Sequence, residues 1–542
     1  MLLFWGLISF HNLPVEAYPD VADTWVQVIS QWPGHAAEEV EQQVTVPVEV
    51  QLNGVAHLTH LRSVSLFGLS VVTLVFDDEA DDLLSRAQVL ERLSQVSLPQ
   101  NVSPQLAPDS SPVGQIYFYT LTSTNPRYDL MELKSLQDWV LTKELKSVPN
   151  VADVVSFGGI TREYQVQVDP NKLVAYGLNI AQVEQALAAN NVSAGGSFIE
   201  HGDQAFNVRA IGLMSSTDDI GTTVLKSQNG TPVRVRDVAV VTQGPKIRLG
   251  QVGKSIHYEA GRVVDNDDVV HGIVLMRKGT EAEATINALH EKVKNLNEHV
   301  LPPGVKIVPH IDRSNLVSYT THTVLHNLTE GMLLVIAVLF LFLGNLRSAV
   351  IAAATIPFSL LFASILLNLR HIPANLLSLG ALDFGMVVEG SVVMIENILR
   401  HVGRREDASS SPEEAHRSIA DQISRAAHEV QRPVFFPILI IIVAYLPIFT
   451  LQRVEGRLFR PMAWTVAFAL LGALVFALFL APVLASYLFR EPLREKRNPL
   501  LLVLVKGYER GLDWCLGHRP ITVSVALVLL AFSTYLAFRR RK

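Results

Sequence analysis

The segment Leu377–Asn397, LSLGALDFGMVVEGSVVMIEN, places three carboxylates in a stretch that is otherwise apolar and long enough to cross a membrane. Crossing the roughly 30 Å hydrocarbon layer takes about 20 apolar residues. An ionised side chain at the bilayer centre costs about 2.5–3.5 kcal/mol on insertion scales, so such residues usually face a protein interior and serve proton or ion pathways. We therefore predict that Asp383, Glu389 and Glu396 lie inside one spanning helix and form a proton relay.

The three carboxylates differ in their position on this predicted helix. Glu389 and Glu396 are seven residues apart and share one face, whereas Asp383 lies on another. Glu396 is near one end, where a carboxylate can simply reach the aqueous interface, and this alternative stays open. Small residues beside the carboxylates are predicted to let neighbouring helices approach closely. They are Gly380, Gly385 and Gly390.

Hydrophobic stretches of similar length occur along the later part of the chain. Of the 542 residues, 49% are hydrophobic and only 18% are charged, which is more apolar and less charged than an ordinary soluble domain. A mixed, polar block precedes the apolar runs, and six membrane spans are predicted. They are Leu328–Leu343, Ala349–Leu369, Leu376–Ile398, Val434–Leu451, Pro461–Leu488 and Ile521–Phe538.

Basic residues predict the orientation of these spans. Two loops rich in arginine and lysine, residues 400–432 and 490–510, should be cytoplasmic by the positive-inside tendency. Counting spans from these loops places the polar block outside the cytoplasm. The apolar residues 1–12 are too short to span and are expected to be the tail of a spanning helix whose beginning is missing. Residues 412–430 are predicted to form either an amphipathic helix on the cytoplasmic membrane surface or a solvated connector helix.

The polar block alternates short β-rich runs with helical runs. REYQVQVD, which begins at Arg162, is of the first kind, and AQVEQALAAN, which begins at Ala181, is of the second. This interleaving predicts α+β sandwiches built from βαβ units.

Several classes of protein are excluded by composition and motif. The net charge is −6, whereas proteins that bind nucleic acid use an excess of basic side chains to neutralise the phosphate backbone. The charge therefore excludes nucleic acid as a partner. Cys515 is the only cysteine, so neither an intrachain disulfide nor a thiolate zinc cluster is possible. The sequence contains no Gly-x4-Gly-Lys-Ser/Thr stretch. We therefore expect a secondary transporter without cofactors, and not an enzyme.

Two weaker patterns concern metal ions. His57 and His60 have a spacing compatible with one face of a helix and a metal, but two such histidines often occur by chance. The run Val263–His271, VVDNDDVVH, lacks the glycine and the closing glutamate of an EF-hand. A polar turn is predicted there instead of a calcium loop.

The segment GALDFGMVVEGSVVMIEN resembles the fourth transmembrane helix of heavy-metal-efflux members of the resistance-nodulation-division superfamily, the cobalt-zinc-cadmium and copper-silver exporters. Four further stretches are similar to family text and occur in the same order, so the resemblance covers essentially the whole chain. They are AYPDV (Ala17–Val21), LPPGVKIVPHIDRSNLV (Leu301–Val317), RPVFFPILIIIVAYLPIF (Arg432–Phe449) and EGRLFRPMA (Glu455–Ala463).

The resemblance implies a membrane protein with an α-helical transmembrane bundle and a large α+β, ferredoxin-like periplasmic porter and docking region. Its implied divisions are residues 1–12 as a truncated first transmembrane helix, 22–114 as the first porter subdomain, 115–168 with 255–317 as the second, 169–254 as a docking insertion, 328–488 as transmembrane helices two to six, 489–520 as a cytoplasmic connector and 521–538 as the seventh transmembrane helix.

The resemblance also implies a function and an assembly. These are a homotrimer in the bacterial inner membrane, driven by proton influx, that exports metal cations and meets a periplasmic adaptor and an outer-membrane channel. Asp383, Glu389 and Glu396 match the acidic positions of the family in this helix, although the family usually has Asp where this chain has Glu389.

The resemblance favours divalent cations such as Zn, Co or Cd as the substrate. Asp383–Gly385, Asp-Phe-Gly, is similar to divalent-cation exporters more than to copper or silver exporters. The eight methionines are scattered, which fits poorly with a relay for soft Cu(I) or Ag(I).

A complete family member has two such halves, so this chain is expected to correspond to an N-terminal half that needs a second half. Three alternatives stay open: a truncated or split product that is inactive alone, an exporter of organic hydrophobes or drugs, and a membrane-anchored binding or adaptor protein.

Overall fold

The computed structural model describes residues 2–13, 15–16, 19–228, 230–248, 250–257, 263–343, 345–380, 382–403, 419–489 and 499–539. These residues form two compact units, of which one combines Met1–Ala107 with Asn315–Lys542 and the other is Pro108–Ser314. Parts of both predicted basic loops lie outside the described residues, as do Ala17 and Tyr18. The loop residues concerned are Arg404, Arg405, Arg417, Arg490, Arg494, Lys496 and Arg497.

The first unit begins its polar part with a βαββαβ subdomain. Its four-stranded antiparallel sheet has the spatial order second, third, first and fourth, which is the ferredoxin-like arrangement. Buried and exposed residues alternate along the first and third strands, so one face packs on the helices. The strands are Trp25–Gln31, Leu58–Leu66, Leu69–Phe76 and Gln105–Leu106, and the helical segments are Ala37–Val40, Glu41–Thr45, Val46–Leu52 and Asp82–Leu93.

The apolar part of the same unit contains six helical segments, some built from two consecutive helices, that are long and apolar enough to cross a membrane, which confirms the predicted number for the described residues. The first begins well before the predicted Leu328, because a single helix continues from the end of the polar block. The six are Arg313–Leu343, Leu346–Leu369, Leu377–Val402, Ile419–Thr450, Arg453–Leu488 and Arg519–Leu536. A further helix, Pro499–Gly517, precedes the last of them.

The separate amphipathic helix predicted over 412–430 is wrong where the structure describes it. The helix Ile419–Ala444 runs without interruption through Pro433 and Pro437 into the next span. Its buried residues, Ile423, Ala426, Val434 and Ile438, recur every three to eight residues along one stripe that continues past Pro433. Continuous packing of this stripe outweighs the hydrogen bond that each proline removes. Residues 412–418 lie outside the described part of the chain.

The helix Leu2–His11 is short and packs against Thr355–Leu369. A Cβ atom on Gly6 would lie 2.7 Å from Leu361 Cβ, so only glycine permits this approach. After the helix, Val15–Glu16 pairs in parallel with Ala374–Asn375.

The second unit repeats the fold of the first polar subdomain, in agreement with the two ferredoxin-like porter subdomains that the resemblance implies. Its four-stranded antiparallel sheet has the same order of strands. The two subdomains share the order and direction of their strands. In the second subdomain, a long insertion lies between the second and third strands of the sheet. The strands are Gln115–Ser123, Val151–Phe157, Val270–Met276 and Val305–Asp312, and the helical segments are Leu130–Leu136, Gln137–Leu141, Thr142–Lys146, Ala282–Asn295 and Leu296–Val300.

The insertion begins earlier than the predicted residue 169. The strand Arg162–Val168 pairs with Ala239–Pro245, and its Val166 and Val168 pack on the core of the insertion. It therefore belongs to the insertion and not to the second porter subdomain. The remaining elements are helices Pro170–Tyr176, Ile180–Asn190, Thr217–Thr222 and Val235–Val238, and hairpins Ala194–His201 with Gln204–Ala210, Val224–Gln228 with Thr231–Arg234, and Lys254–His257 with Val263–Asn266.

Candidate functional site

Asp383 lies at a break in the membrane segment and not inside a continuous helix. One helix ends at Gly380 and the next begins at Phe384. Asp383 Oδ1 accepts a hydrogen bond of 2.8 Å from the backbone N–H of Gly385. A carboxylate in this position satisfies an unpaired amide at the start of a helix, which is why the break forms here. The prediction of one uninterrupted helix is therefore wrong at this residue.

Glu389 and Glu396 share one face of the helix Phe384–Gly403, as predicted. Both are exposed in this chain, together with Val393 between them. The opposite face is buried and includes Val387, Met394 and Ile398. We call the exposed stripe that carries Glu389, Val393 and Glu396 the acidic face. It presents two carboxylates on one side of a helix whose other side is buried.

Gly390 is the glycine that permits close helix packing. A Cβ atom there would lie 3.0 Å from both Ile438 Cδ1 and Val434 Cγ1. A Cβ atom on Gly380 would meet no described atom within 4 Å, and one on Gly385 would meet only the carboxylate of Asp383. The predicted role in packing therefore applies to Gly390 alone.

A buried pair of hydroxyls lies on the other side of the same helix. Thr355 Oγ1 and Ser391 Oγ are 2.7 Å apart, and both residues have no exposed surface. This bond joins the helix that carries the carboxylates to the neighbouring span. Sequence reasoning missed it because single Ser and Thr residues are common in spans.

Polar contacts also join the C-terminal part of the helix Phe384–Gly403 to the helix Ile419–Ala444. Asn397 Nδ2 donates to the carbonyl of Ala426 at 3.0 Å. His401 Nε2 lies 3.3 Å from Glu429 Oε2. These contacts hold the end of the helix against Ile419–Ala444, so the acidic face is fixed in orientation.

Arginines at the start of the fifth candidate span contact the first polar subdomain. Arg457 Nη2 lies 2.8 Å from Asp78 Oδ1, and its Nη1 lies 3.2 Å from Asp23 Oδ1. The backbone N–H of Arg453 donates to Asp78 Oδ2 at 2.6 Å. The charge of Arg457 is therefore balanced by two carboxylates of the first polar subdomain.

The candidate metal pair His57 and His60 is not on a helix. His57 has a φ of 64° and directly precedes the strand Leu58–Leu66, which contains His60. His57 Nδ1 lies 3.0 Å from Asp77 Oδ2, and this hydrogen bond lowers the pKa of the Asp77 carboxyl. The described residues contain no group of three or more His, Cys, Asp or Glu that could hold a metal ion.

The run Val263–His271 forms the second strand of a hairpin, a short connection and the first two residues of another strand. Asp268 in this connection pairs with Arg248, and Asp265 Oδ1 accepts from Ser255 at 2.6 Å. Residues 267–269 form a short irregular connection with a bend at Asp267, and the strand before it was not predicted.

The family model described as the AcrB/AcrD/AcrF family matches residues 1–540. Protein HelA of Legionella pneumophila is 38% identical over 545 residues, which are 98% of this chain and 50% of the relative. The cobalt-zinc-cadmium resistance protein CzcA of Cupriavidus metallidurans is 37% identical over 547 residues, again 98% of this chain and 50% of the relative. The cation efflux system protein CusA of Escherichia coli is 38% identical over 97% of this chain and 50% of its own length.

A crystal structure described as a heavy metal efflux pump has the same fold. It superposes with a TM-score of 0.84 at 42% sequence identity and covers 97% of this chain. This chain corresponds to 49% of that chain. The protein thus spans about half the length of the relatives it matches.

Proposed function

Because this chain belongs to the AcrB/AcrD/AcrF family of resistance-nodulation-division transporters, we propose that it supplies one half of a proton-driven exporter of heavy-metal cations. Divalent cations such as zinc, cobalt or cadmium are the favoured substrates. The proposed location is a bacterial inner membrane, with both ferredoxin-like subdomains and the insertion in the periplasm.

The acidic face is the observation that carries this proposal. Glu389 and Glu396 stand on a helix whose other side is packed into the bundle, and Asp383 marks the break at which this helix begins. Carboxylates at membrane depth are costly unless they meet a protein partner or a hydrated pathway. We propose that a second half of the transporter packs on this face and completes the proton relay.

The names of the relatives support metal cations as the cargo. CzcA is described as a cobalt-zinc-cadmium resistance protein and CusA as a cation efflux system protein. A homotrimer, a periplasmic adaptor and an outer-membrane channel belong to the same proposal.

The test is metal tolerance in a host that lacks its own exporters, with the gene expressed together with its adjoining reading frames. We expect tolerance to zinc, cobalt or cadmium with the unchanged chain, and its loss with Glu389→Gln or Asp383→Asn. Each substitution removes a charge and keeps the side-chain volume, so membrane insertion should be unaffected.

Glu330→Gln is the matched control, since Glu330 is an exposed carboxylate on a different candidate span. It should leave tolerance unchanged while immunoblots show equal amounts of all variants. Tolerance to organic drugs without metal tolerance would instead favour an exporter of hydrophobes. Full metal tolerance in Glu389→Gln and in Asp383→Asn would refute the proton relay.

A further inference from the structure

The open face of the second four-stranded sheet carries two histidines from strands that are not neighbours. His271 is on Val270–Met276 and His310 is on Val305–Asp312, and the strand Gln115–Ser123 lies between them. The residues that flank His271, Val270 and Gly272, are buried on the side of the helices, so His271 points away from the helical layer.

A β-bulge directs His310 to the same face. The register between the two strands shifts here, because Pro309 pairs with Tyr119 while Ile311 pairs with Phe118. His310 is therefore the extra residue of the bulge. After it the alternation is reset, and Asp312 contacts His290 on the helical side. Bulges of this kind re-aim a side chain and are common beside functional sites.

The imidazole rings of His271 and His310 face each other through their Nε2 atoms. His271 Nε2 and His310 Nε2 are 3.2 Å apart. Zinc–nitrogen bonds of about 2.0–2.1 Å in tetrahedral geometry place two ligand nitrogens about 3.3–3.4 Å apart. We propose that His271 and His310 together chelate one divalent first-row transition-metal ion, such as Zn²⁺ or Co²⁺, through their Nε2 atoms.

Aromatic packing holds both rings in place for this purpose. The Phe118 ring centroid lies 5.9 Å from that of His271 and 6.1 Å from that of His310. Phe157 lies 6.4 Å from His271 on another side. Fixed rings lose little rotamer freedom on binding, which favours a metal held by only two protein ligands. Water would complete the coordination, as it does in open zinc sites.

Lys254 limits the affinity of the site. Its Nζ donates to Thr120 Oγ1 at 3.0 Å, and Thr120 is directly opposite His271 in the sheet. A fixed ammonium near two neutral ligands repels a divalent cation. The site should therefore bind its ion weakly and release it readily, as transfer requires.

The competing arrangement is a hydrogen bond between two neutral imidazoles, for which 3.2 Å is also a suitable distance. In that case one Nε2 donates to the other and the pair needs no ion. The two arrangements differ because a metal occupies both Nε2 lone pairs at once. Reagents that attack Nε2 can therefore tell them apart.

The inference rests on the proposed export of metal cations for its biological meaning, but its test does not need transport. Zn²⁺ binding is measured by titration calorimetry on the purified full chain in detergent. We expect His271→Gln and His310→Gln each to weaken this binding at least about tenfold, since even an outer-shell partner of a metal ligand is worth about 10- to 100-fold. Lys254→Met should tighten the same binding.

His201→Gln is the matched control, because the chain has 17 histidines and some bind metal adventitiously. His201 is exposed on the hairpin of the insertion, and its replacement should leave the binding that depends on His271 and His310 unchanged. Carbethoxylation followed by peptide mass spectrometry supplies a site-resolved readout. Zn²⁺ should protect His271 and His310 together and leave His201 reactive.

Equal Zn²⁺ affinity in the unchanged chain and both glutamine variants would overturn the site, as would equal carbethoxylation of His271 and His310 with and without Zn²⁺. Circular dichroism spectra that match the unchanged chain exclude misfolding of a variant. Metal tolerance that survives the loss of binding would refute the role of this site in export and leave the proposed exporter intact. Zn²⁺ binding at His271 and His310 in a chain that never confers metal tolerance would refute the proposed exporter but support the metal site.

Discussion

Arg457 Nη2 lies 2.8 Å from Asp78 Oδ1, so the start of a candidate membrane span is paired with the loop that follows the third strand of the first polar subdomain. The guanidinium also reaches Asp23 and the carbonyl of Ala22. Arg457 therefore contacts two separate loops of the subdomain at once. Its side chain is 23% exposed and that of Asp78 is 27% exposed, so water screens the pair only in part.

Arg457→Met should lower the thermal stability of the first unit, because it removes the guanidinium that contacts both Asp78 and Asp23. A double-mutant cycle with Asp78→Asn measures the pair alone, and we expect a coupling of about 1 kcal/mol, the upper end for partly exposed pairs. Arg236→Met, in the insertion, is the control, because the described contacts show no ion pair between Arg236 and an aspartate. A coupling free energy near zero would show that the Arg457–Asp78 ion pair contributes nothing to stability.

Ser391→Ala should destabilise the bundle by about 1–3 kcal/mol, since it leaves the buried Thr355 hydroxyl without its partner. Adding Thr355→Val removes the orphaned hydroxyl as well and should restore much of the loss. Thermal unfolding in detergent measures both variants. If the double variant is less stable than Ser391→Ala alone, the hydroxyls do not act as a pair.

Gly390→Val should destabilise the packing of three helices by about 1–3 kcal/mol, because its side chain would overlap Val434 and Ile438. Gly507→Ala is the matched control: it lies inside a helix, and no described atom is within 4 Å of its added Cβ. Alanine there should be neutral or stabilising by up to about 1 kcal/mol. Equal effects of the two changes in thermal unfolding would contradict the close approach at Gly390.

Asp312 should make the second ferredoxin-like subdomain sensitive to acid. Burial raises the pKa of this carboxyl, but hydrogen bonds from Ser314 and the nearby His290 outweigh burial and hold the pKa below its usual range. A carboxyl with a depressed pKa stabilises the fold above its unfolded pKa, and that contribution is lost as the pH falls through the folded pKa.

Asp312→Asn should therefore lower the Tm of the chain near pH 6, and the difference should shrink as the pH falls below about 4. Asp203→Asn, at the tip of an exposed hairpin, is the control and should show no such trend. A Tm difference that stays constant with pH would mean that the charge of Asp312 does not contribute.

Much of the membrane part was predictable from sequence because hydropathy is a local property. The number of spans and the shared face of Glu389 and Glu396 follow from composition and helical periodicity alone. The break before Phe384 was not predicted, since apolar residues continue across it and only the hydrogen bond from Gly385 to Asp383 reveals it. Likewise, a separate helix over 412–430 was predicted before the span Val434–Leu451, but packing on both sides of Pro433 keeps one helix over Ile419–Ala444.

Some residues of the candidate sites could be predicted from the sequence and others could not. Carboxylates in an apolar run stand out in the sequence because their transfer into lipid is costly. His271 and His310 do not stand out, because nothing in their local sequence indicates that a sheet and a bulge bring them together across 39 positions.

The amino-acid sequence by itself determined the membrane class, the span count, the acidic positions and the family, since each depends on residue type and local spacing. Tertiary structure alone decided the break before Phe384, the extent of the insertion, the Arg457–Asp78 pair across 379 positions and the facing imidazoles. These features depend on strand pairing and packing between distant segments, whose free energy is shared among many weak contacts and leaves no local pattern.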